Sequence, residues 1–180
     1  TFAVSGAKRT TLEFALEHLA RHAPAPRDEI ALGAGAPFGR VDVNRQTCTL
    51  CMACVGACPA SALVDGRETP MLKFIERNCV QCGLCVATCP ENAVTLAPRL
   101  LLAAQARQEV VLSRAEPFDC VRCGKPFGTK QMIEALVGRL GAHSMFAGGG
   151  ALRRLQMCAD CRVADMMENK NEASIFDVRP

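Results

Sequence analysis

Apolar residues recur at helical spacing over 8–22, KRTTLEFALEHLARH, where Leu12, Ala15, Leu16 and Leu19 share one face of a helix. Thr10 or Thr11 is the candidate N-cap, with Glu13 three residues after Thr10. Pro24 and Pro26 end the helix, because proline lacks the amide that would continue the ladder. The next stretch, LGAGAPFG, contains G-x-G, but the third glycine is misplaced, Pro37 interrupts and no helical pattern follows. It is read as a turn or linker. Short β-like runs follow at RVDV, SALV, MLKFI and NAVTL, and RLLL and EVVL are also extended candidates around a helical turn at LAAQARQ. GTKQMIEALVGRLGAH predicts a second helix, capped by Thr129 and stopped at Gly141. Its stripe of Met132, Ile133, Leu136, Val137 and Leu140 is expected in a core. AGGG at 147–150 reads as a flexible loop, and the polar tail from Met166 is expected to fray or to dock on a partner.

The β-like runs are not randomly placed. RVDV and MLKFI each precede a cysteine run, and SALV and NAVTL each follow one. Cys48, Cys51, Cys54 and Cys58 recur at Cys79, Cys82, Cys85 and Cys89, each displaced by 31 residues, and Pro59/Pro90 and Ala62/Ala93 obey the same shift. Two copies of a strand, cysteine loop, turn and strand account for this. The 180 residues suffice for one domain or two small ones. Their division is read as an N-terminal helix and linker over 1–40, a repeated cysteine domain over 41–98, and a third segment over 99–180.

Composition changes the picture in one respect. The apolar fraction is ordinary at 49%, Trp and Tyr are absent, but twelve residues are cysteine. A secreted disulfide scaffold is one reading of such a count. Against it, the first thirty residues hold no apolar signal core, and the cysteines stand in C-x-x-C steps that suit a metal. The compartment is therefore read as reducing, hence cytoplasmic. No run of 18 apolar residues is present, so no membrane span is expected. The initial Thr1 is compatible with a processed product or one part of a longer protein. The formal charge of +3 is spread as +1 over 1–40, −1 over 41–98 and +3 over 99–180, without a dense basic patch, which argues against a nucleic-acid surface.

Thiolates at every third position can wrap one metal cluster, with the intervening amides turned toward sulfur. Small residues such as Ala53, Gly56, Ala57, Gly83 and Ala87 let the chain pass close. Soft thiolates select iron–sulfur clusters, Zn²⁺ or Cu(I). C-x₂-C-x₂-C-x₃-C-P is the spacing described for bacterial iron–sulfur ferredoxins. On these two complete motifs, residues 41–98 resemble a bacterial-type 2[4Fe–4S] ferredoxin. The resemblance implies an α+β fold with pseudo-two-fold symmetry and two [4Fe–4S] clusters. It also implies that the fourth cysteine of each run crosses over. Cluster I would take Cys48, Cys51, Cys54 and Cys89, and cluster II Cys79, Cys82, Cys85 and Cys58. With both runs intact, no iron site is left open for Lewis-acid catalysis. Lys73, Arg45 and Arg77 lie near the runs and are read as solvated surface.

Cys120-x-x-Cys123 and Cys158-x-x-Cys161 form a further set. Two such pairs fit a closed structural Cys₄ site in a ribbon-like module with a central helix. Zn²⁺ is the first reading, while a rubredoxin-like iron or a third iron–sulfur cluster stays open. Gly124 would supply a left-handed turn and an amide for a thiolate, and CADCRVADM would start a helix whose positive end favours thiolates. His18 and His22 are spaced i, i+4 but lack a third ligand, and His143 reads as loop packing. No catalytic triad, phosphate loop or dinucleotide fingerprint is present. The whole chain resembles the C-terminal portion of larger proteobacterial 4Fe–4S binding proteins, some serving oxidoreductases such as formate dehydrogenase. The expectation is an electron carrier or electron-transfer subunit with a redox partner protein and no catalytic residues of its own. A domain of a larger oxidoreductase and a cluster-bearing regulatory or nucleic-acid-binding protein are the alternatives.

Overall fold

The computed structural model describes residues 6–66, 69–146 and 149–168. Two compact units are present. One holds the chain up to Thr47, Met52–Asp65 and Leu72–Leu112, and the other holds Cys48–Cys51, Gly66–Met71 and the chain from Ser113 onward.

The first unit begins with helix α1 (Lys8–His22). Its N-cap is Ala7, without a side-chain cap bond, so the expected threonine cap is not used and Thr10 and Thr11 lie inside the first turn. Nor is its apolar stripe buried. Leu12 and Leu19 are exposed, and the helix is held by charge instead. Arg9 donates to the carbonyls of Arg77 at 2.8 Å, Cys79 at 3.0 Å and Pro37 at 3.1 Å, and its guanidinium lies 4.3 Å from the centre of the Phe38 ring. Arg77, with its side chain only 11% exposed, pairs with Glu13 at 3.1 Å. Lys73 pairs with Glu109 at 2.9 Å and Arg45 donates to the Leu112 carbonyl at 2.7 Å. Of the three cations read as solvated surface, Arg77 is instead turned inward, while the contacts of Lys73 and Arg45 stay exposed.

Strands β1 (Glu29–Ala31), β2 (Gly39–Val43) and β5 (Val94–Leu101) form one sheet in the order β1-β5-β2. Strands β3 (Leu63–Asp65), β4 (Met71–Phe74) and β6 (Val110–Arg114) form another in the order β3-β4-β6. The strand before each cysteine run pairs with the strand after the other run. Val43 faces Val94 across β2 and β5, and Leu63 faces Phe74 across β3 and β4, which are the same pair of positions displaced by 31 in each partner. The amide of Asn44 reaches the Ala93 carbonyl and that of Ile75 reaches the Ala62 carbonyl, both at 2.8 Å, and these are again equivalent. Val41, Leu63, Leu72, Phe74 and Val94 are buried and form the core between these strands. Gly39 has to be glycine here, since a Cβ would stand 2.5 Å from the Ala97 carbonyl oxygen.

The second unit contains the hairpin β7 (Pro117–Asp119) and β8 (Pro126–Thr129), then α4 (Lys130–Leu140), α5 (Gly150–Arg154) and α6 (Ala159–Glu168). Thr129 caps α4 as expected, accepting the Met132 amide at 3.2 Å, while its hydroxyl donates to the Thr49 carbonyl at 2.8 Å. Gly141 ends the helix. The α4 stripe is core at Ile133, which is 2% exposed, but Leu136 is 38% exposed. The expectation of a wholly buried stripe therefore fails at Leu136. The expected glycine loop is described only at Gly149 and Gly150, and the polar tail beyond Glu168 lies outside the described residues.

Candidate metal centres

All twelve cysteines are free of disulfides. Short helices α2 (Ala53–Gly56) and α3 (Leu84–Thr88) carry Cys54 and Cys85 into the interior and pack on each other. Each is preceded by a left-handed residue, Met52 at φ 60° and Gly83 at φ 79°. Left-handed backbone also recurs at Leu50 and Gln81, and at Ser61 and Asn92, all pairs displaced by 31. Such residues turn amides inward toward a common centre. The fourth cysteine of each run behaves identically. Cys58 Sγ accepts the amide of Ala62 at 3.3 Å, and Cys89 Sγ accepts that of Ala93 at 3.3 Å.

Cys58, Cys79, Cys82 and Cys85 line one apolar concavity together with Val41, Leu63, Phe74 and Leu96. Thus the last cysteine of the first run stands among the first three of the second. Gln81 Nε2 donates to Cys79 Sγ at 3.4 Å. Burial raises the Cys79 and Cys85 thiols above their usual range, and neighbouring thiols, Cys58 and Cys82 among them, add to the rise. A soft cation reverses that preference by stabilising the thiolates, so the donor set fits a thiolate-ligated cluster. Of the other four, Cys54 is buried, Cys48 and Cys89 are half-buried and Cys51 is exposed.

Cys120, Cys123, Cys158 and Cys161 bring their sulfurs within 4.8 Å of one another, with Cys123 and Cys158 3.7 Å apart. Four sulfurs at the corners of a tetrahedron around Zn²⁺, each at about 2.3 Å from the ion, stand about 3.8 Å apart. The turn between β7 and β8 supplies the first pair, and the start of α6 the second. Gly124 is left-handed at φ 73°, but its amide donates to the Cys120 carbonyl at 2.8 Å, not to a thiolate as expected. The sulfur of Cys120 receives the Cys158 amide at 3.3 Å instead. Burial alone would raise the Cys120 thiol, yet the amides of Cys158, Cys123 and Arg122 hold it down at about 6. Cys161 is pushed up to about 12 by burial and by its hydrogen bonds to the other three thiols. Four sulfurs this close fit a thiolate-ligated metal centre. Met157 and Cys158 are buried beside Cys120, with Phe127 packed against them. Arg154 Nε donates to Asp165 at 2.7 Å, and Arg122 reaches both oxygens of Glu168 at 2.9 and 3.1 Å, so the two pairs are bound to the helices around them.

Comparison with known proteins bears on the first two runs. A family described as a 4Fe-4S dicluster domain matches residues 47–94, and another of the same description matches residues 78–126. The chain carries a 2[4Fe–4S] ferredoxin-type domain. No curated protein matches the sequence. Among the described residues no helix is long and apolar enough to cross a membrane. His18 and His22 meet edge to face with ring centres 4.3 Å apart, and His143 accepts the Met145 amide at 3.2 Å. Among the described residues neither site gathers further metal ligands. Sequence reasoning missed Arg9 and the left-handed positions 61 and 92. The 31-residue shift was a signal for the latter, whereas nothing in the sequence marked the former.

Proposed function

We propose that the chain transfers single electrons through two [4Fe–4S] clusters to or from an oxidoreductase partner. The iron–sulfur electron-transfer role follows from the dicluster domain, and the partner and the ligands of each centre are the finer reading. Cluster I is assigned Cys48, Cys51, Cys54 and Cys89, and cluster II Cys58, Cys79, Cys82 and Cys85, in a pseudo-two-fold arrangement. The observation that carries the assignment is the presence of Cys58 in the concavity lined by Cys79, Cys82 and Cys85. When bound, the clusters supply reversible one-electron chemistry. The chain supplies thiolates, the amides of Ala62 and Ala93 on the Cys58 and Cys89 sulfurs, and an apolar lining around the concavity of the second run.

Zn²⁺ in a closed, structural ribbon-like site is proposed for Cys120, Cys123, Cys158 and Cys161. The compact sulfur set supports a mononuclear tetrahedral ion. One match reaches as far as residue 126, but the C-x-x-C at Cys120 is followed by Gly124, Lys125 and Pro126 without a third cysteine, so it does not complete a ferredoxin run.

Anaerobic metal analysis with electron paramagnetic resonance tests the reading. The expected content is about eight Fe, eight sulfide and one Zn per chain, with two spin-coupled clusters on reduction. Four Fe without coupling would sink the dicluster assignment, and more than eight Fe without Zn would overturn the zinc assignment. Cys58→Ala is expected to damage the cluster held by Cys79, Cys82 and Cys85. Damage confined to the other cluster would refute the crossover.

A further inference from the structure

The first unit contains a cavity of about 320 Å³ that no cysteine touches. Arg21, Arg27, Arg77 and Arg107 line it, with Glu17 and Asp28 as the acidic residues. Its volume lies at the small end of the range for ligand pockets, about 300–1,000 Å³. The charges around it do not balance. Glu17 is shared by Arg21 at 2.6 Å and Arg107 at 3.0 Å. Glu13, one helical turn earlier, is shared by Arg77 at 3.1 Å and Arg9 at 3.6 Å. Among the described residues no carboxylate pairs with Arg27. Each α1 carboxylate therefore serves two guanidiniums, and the lining of four arginines and two acids keeps a formal excess of two positive charges.

Hydrogen bonding from Arg107 holds the Glu17 carboxyl below its usual range, so that group is an anion already committed to its partners. The last turn of α1 presents the negative end of its dipole here, and Arg21 on that turn offsets it. Guanidiniums repel one another, and their planar N–H forks donate to carboxylate or phosphate oxygens two at a time. An anion with two charges would cancel the excess and occupy forks that the protein leaves partly unpaired.

We propose that this cavity binds a compact dianion, either a small dicarboxylate or a phosphate group. The site is separate from the metal centres, and its binding measurement does not depend on how the clusters are ligated. Calorimetry on the full chain, prepared anaerobically and held at constant ionic strength, uses succinate and inorganic phosphate as probes. At least one should bind saturably, at one per chain, more tightly than about 10 mM. Arg27→Gln and Arg107→Gln should each weaken it about tenfold, while Arg40→Gln, at an exposed pair outside the cavity, should leave it unchanged. Visible absorption and far-ultraviolet circular dichroism identify variants that keep their fold, and either cavity variant suffices if the other does not fold. Binding of phosphate alone would assign a phosphate-bearing ligand, and binding of succinate alone a carboxylate. The proposal is overturned if neither probe saturates, if chloride at equal ionic strength competes equally, or if Arg40→Gln weakens binding as much as the cavity variants.

Discussion

Two residues are held by backbone neighbours that cannot give way. Gly39 lies at the start of β2, and a methyl group there would meet the Ala97 carbonyl oxygen at 2.5 Å and the Gln81 amide carbon at 2.6 Å. The glutamine side chain can move, but the carbonyl belongs to the paired strand β5 and cannot. Gly39→Ala is expected to cost about 1–3 kcal/mol, read as a lower thermal midpoint with cluster absorption as the probe. An unchanged midpoint would mean that β2 and β5 do not pair this closely. Thr129 does two things at once, capping α4 and donating its hydroxyl to Thr49 while buried. Thr129→Ala should cost about 1–2 kcal/mol, whereas Thr129→Ser should keep most of the stability because the hydroxyl is retained. If serine and alanine are equally destabilising, packing of the methyl group and not the hydroxyl is what matters.

At the scale of elements, Arg99 on β5 is a junction. Its Nε and Nη2 meet the two oxygens of Glu76 at 2.8 and 2.7 Å, and its Nη1 meets Glu29 on β1 at 2.9 Å. The Arg99 and Glu76 side chains are 19% and 12% exposed, so this pair is screened far less than the surface pairs of α1. The Glu76 hydrogen bonds raise the Arg99 pKa, which keeps the guanidinium charged throughout the accessible pH range. Arg99→Ala leaves Glu76 half-buried without its partner and should cost about 2–3 kcal/mol. Arg40, whose pair with Asp42 is exposed, serves as the comparison, and Arg40→Ala should cost less than about 1 kcal/mol. Equal effects from the two, in parallel thermal melts, would show that burial does not set the value of the Arg99 pair.

For the molecule as a whole, metal content reverses the sign of the charge. The amino acids alone carry +3 and predict a pI near 8.3. A [4Fe–4S]²⁺ core with four thiolates is a dianion, as is Zn²⁺ with four, so the loaded protein carries roughly −3. Isoelectric focusing under anaerobic conditions should therefore place the loaded protein below pH 7. A focused pH near 8 would contradict the proposed metal complement. This charge bears on partner choice, since a docking surface is selected by the field of the loaded protein and not by its sequence.

The cysteine repeat, the strand on either side of each run, helix 8–22 and the capped helix at 130 were all legible in the sequence. Each depends on spacing, on a proline or on a cap within a few residues. The closeness of both C-x-x-C pairs was also expected from their residue types, and the structure gathers them. Contacts between distant residues were not legible. The sequence did not show that Arg9 grips carbonyls 68 and 70 residues away, or that Arg77 turns inward to Glu13. It did not show that Leu136 reaches the surface or that the Gly124 amide serves a carbonyl. The crossing of Cys58 to the second run was expected from the resemblance and not from local spacing; what only the tertiary structure shows is how it happens, through the antiparallel pairing of β3 with β4 that folds the end of one run onto the start of the other.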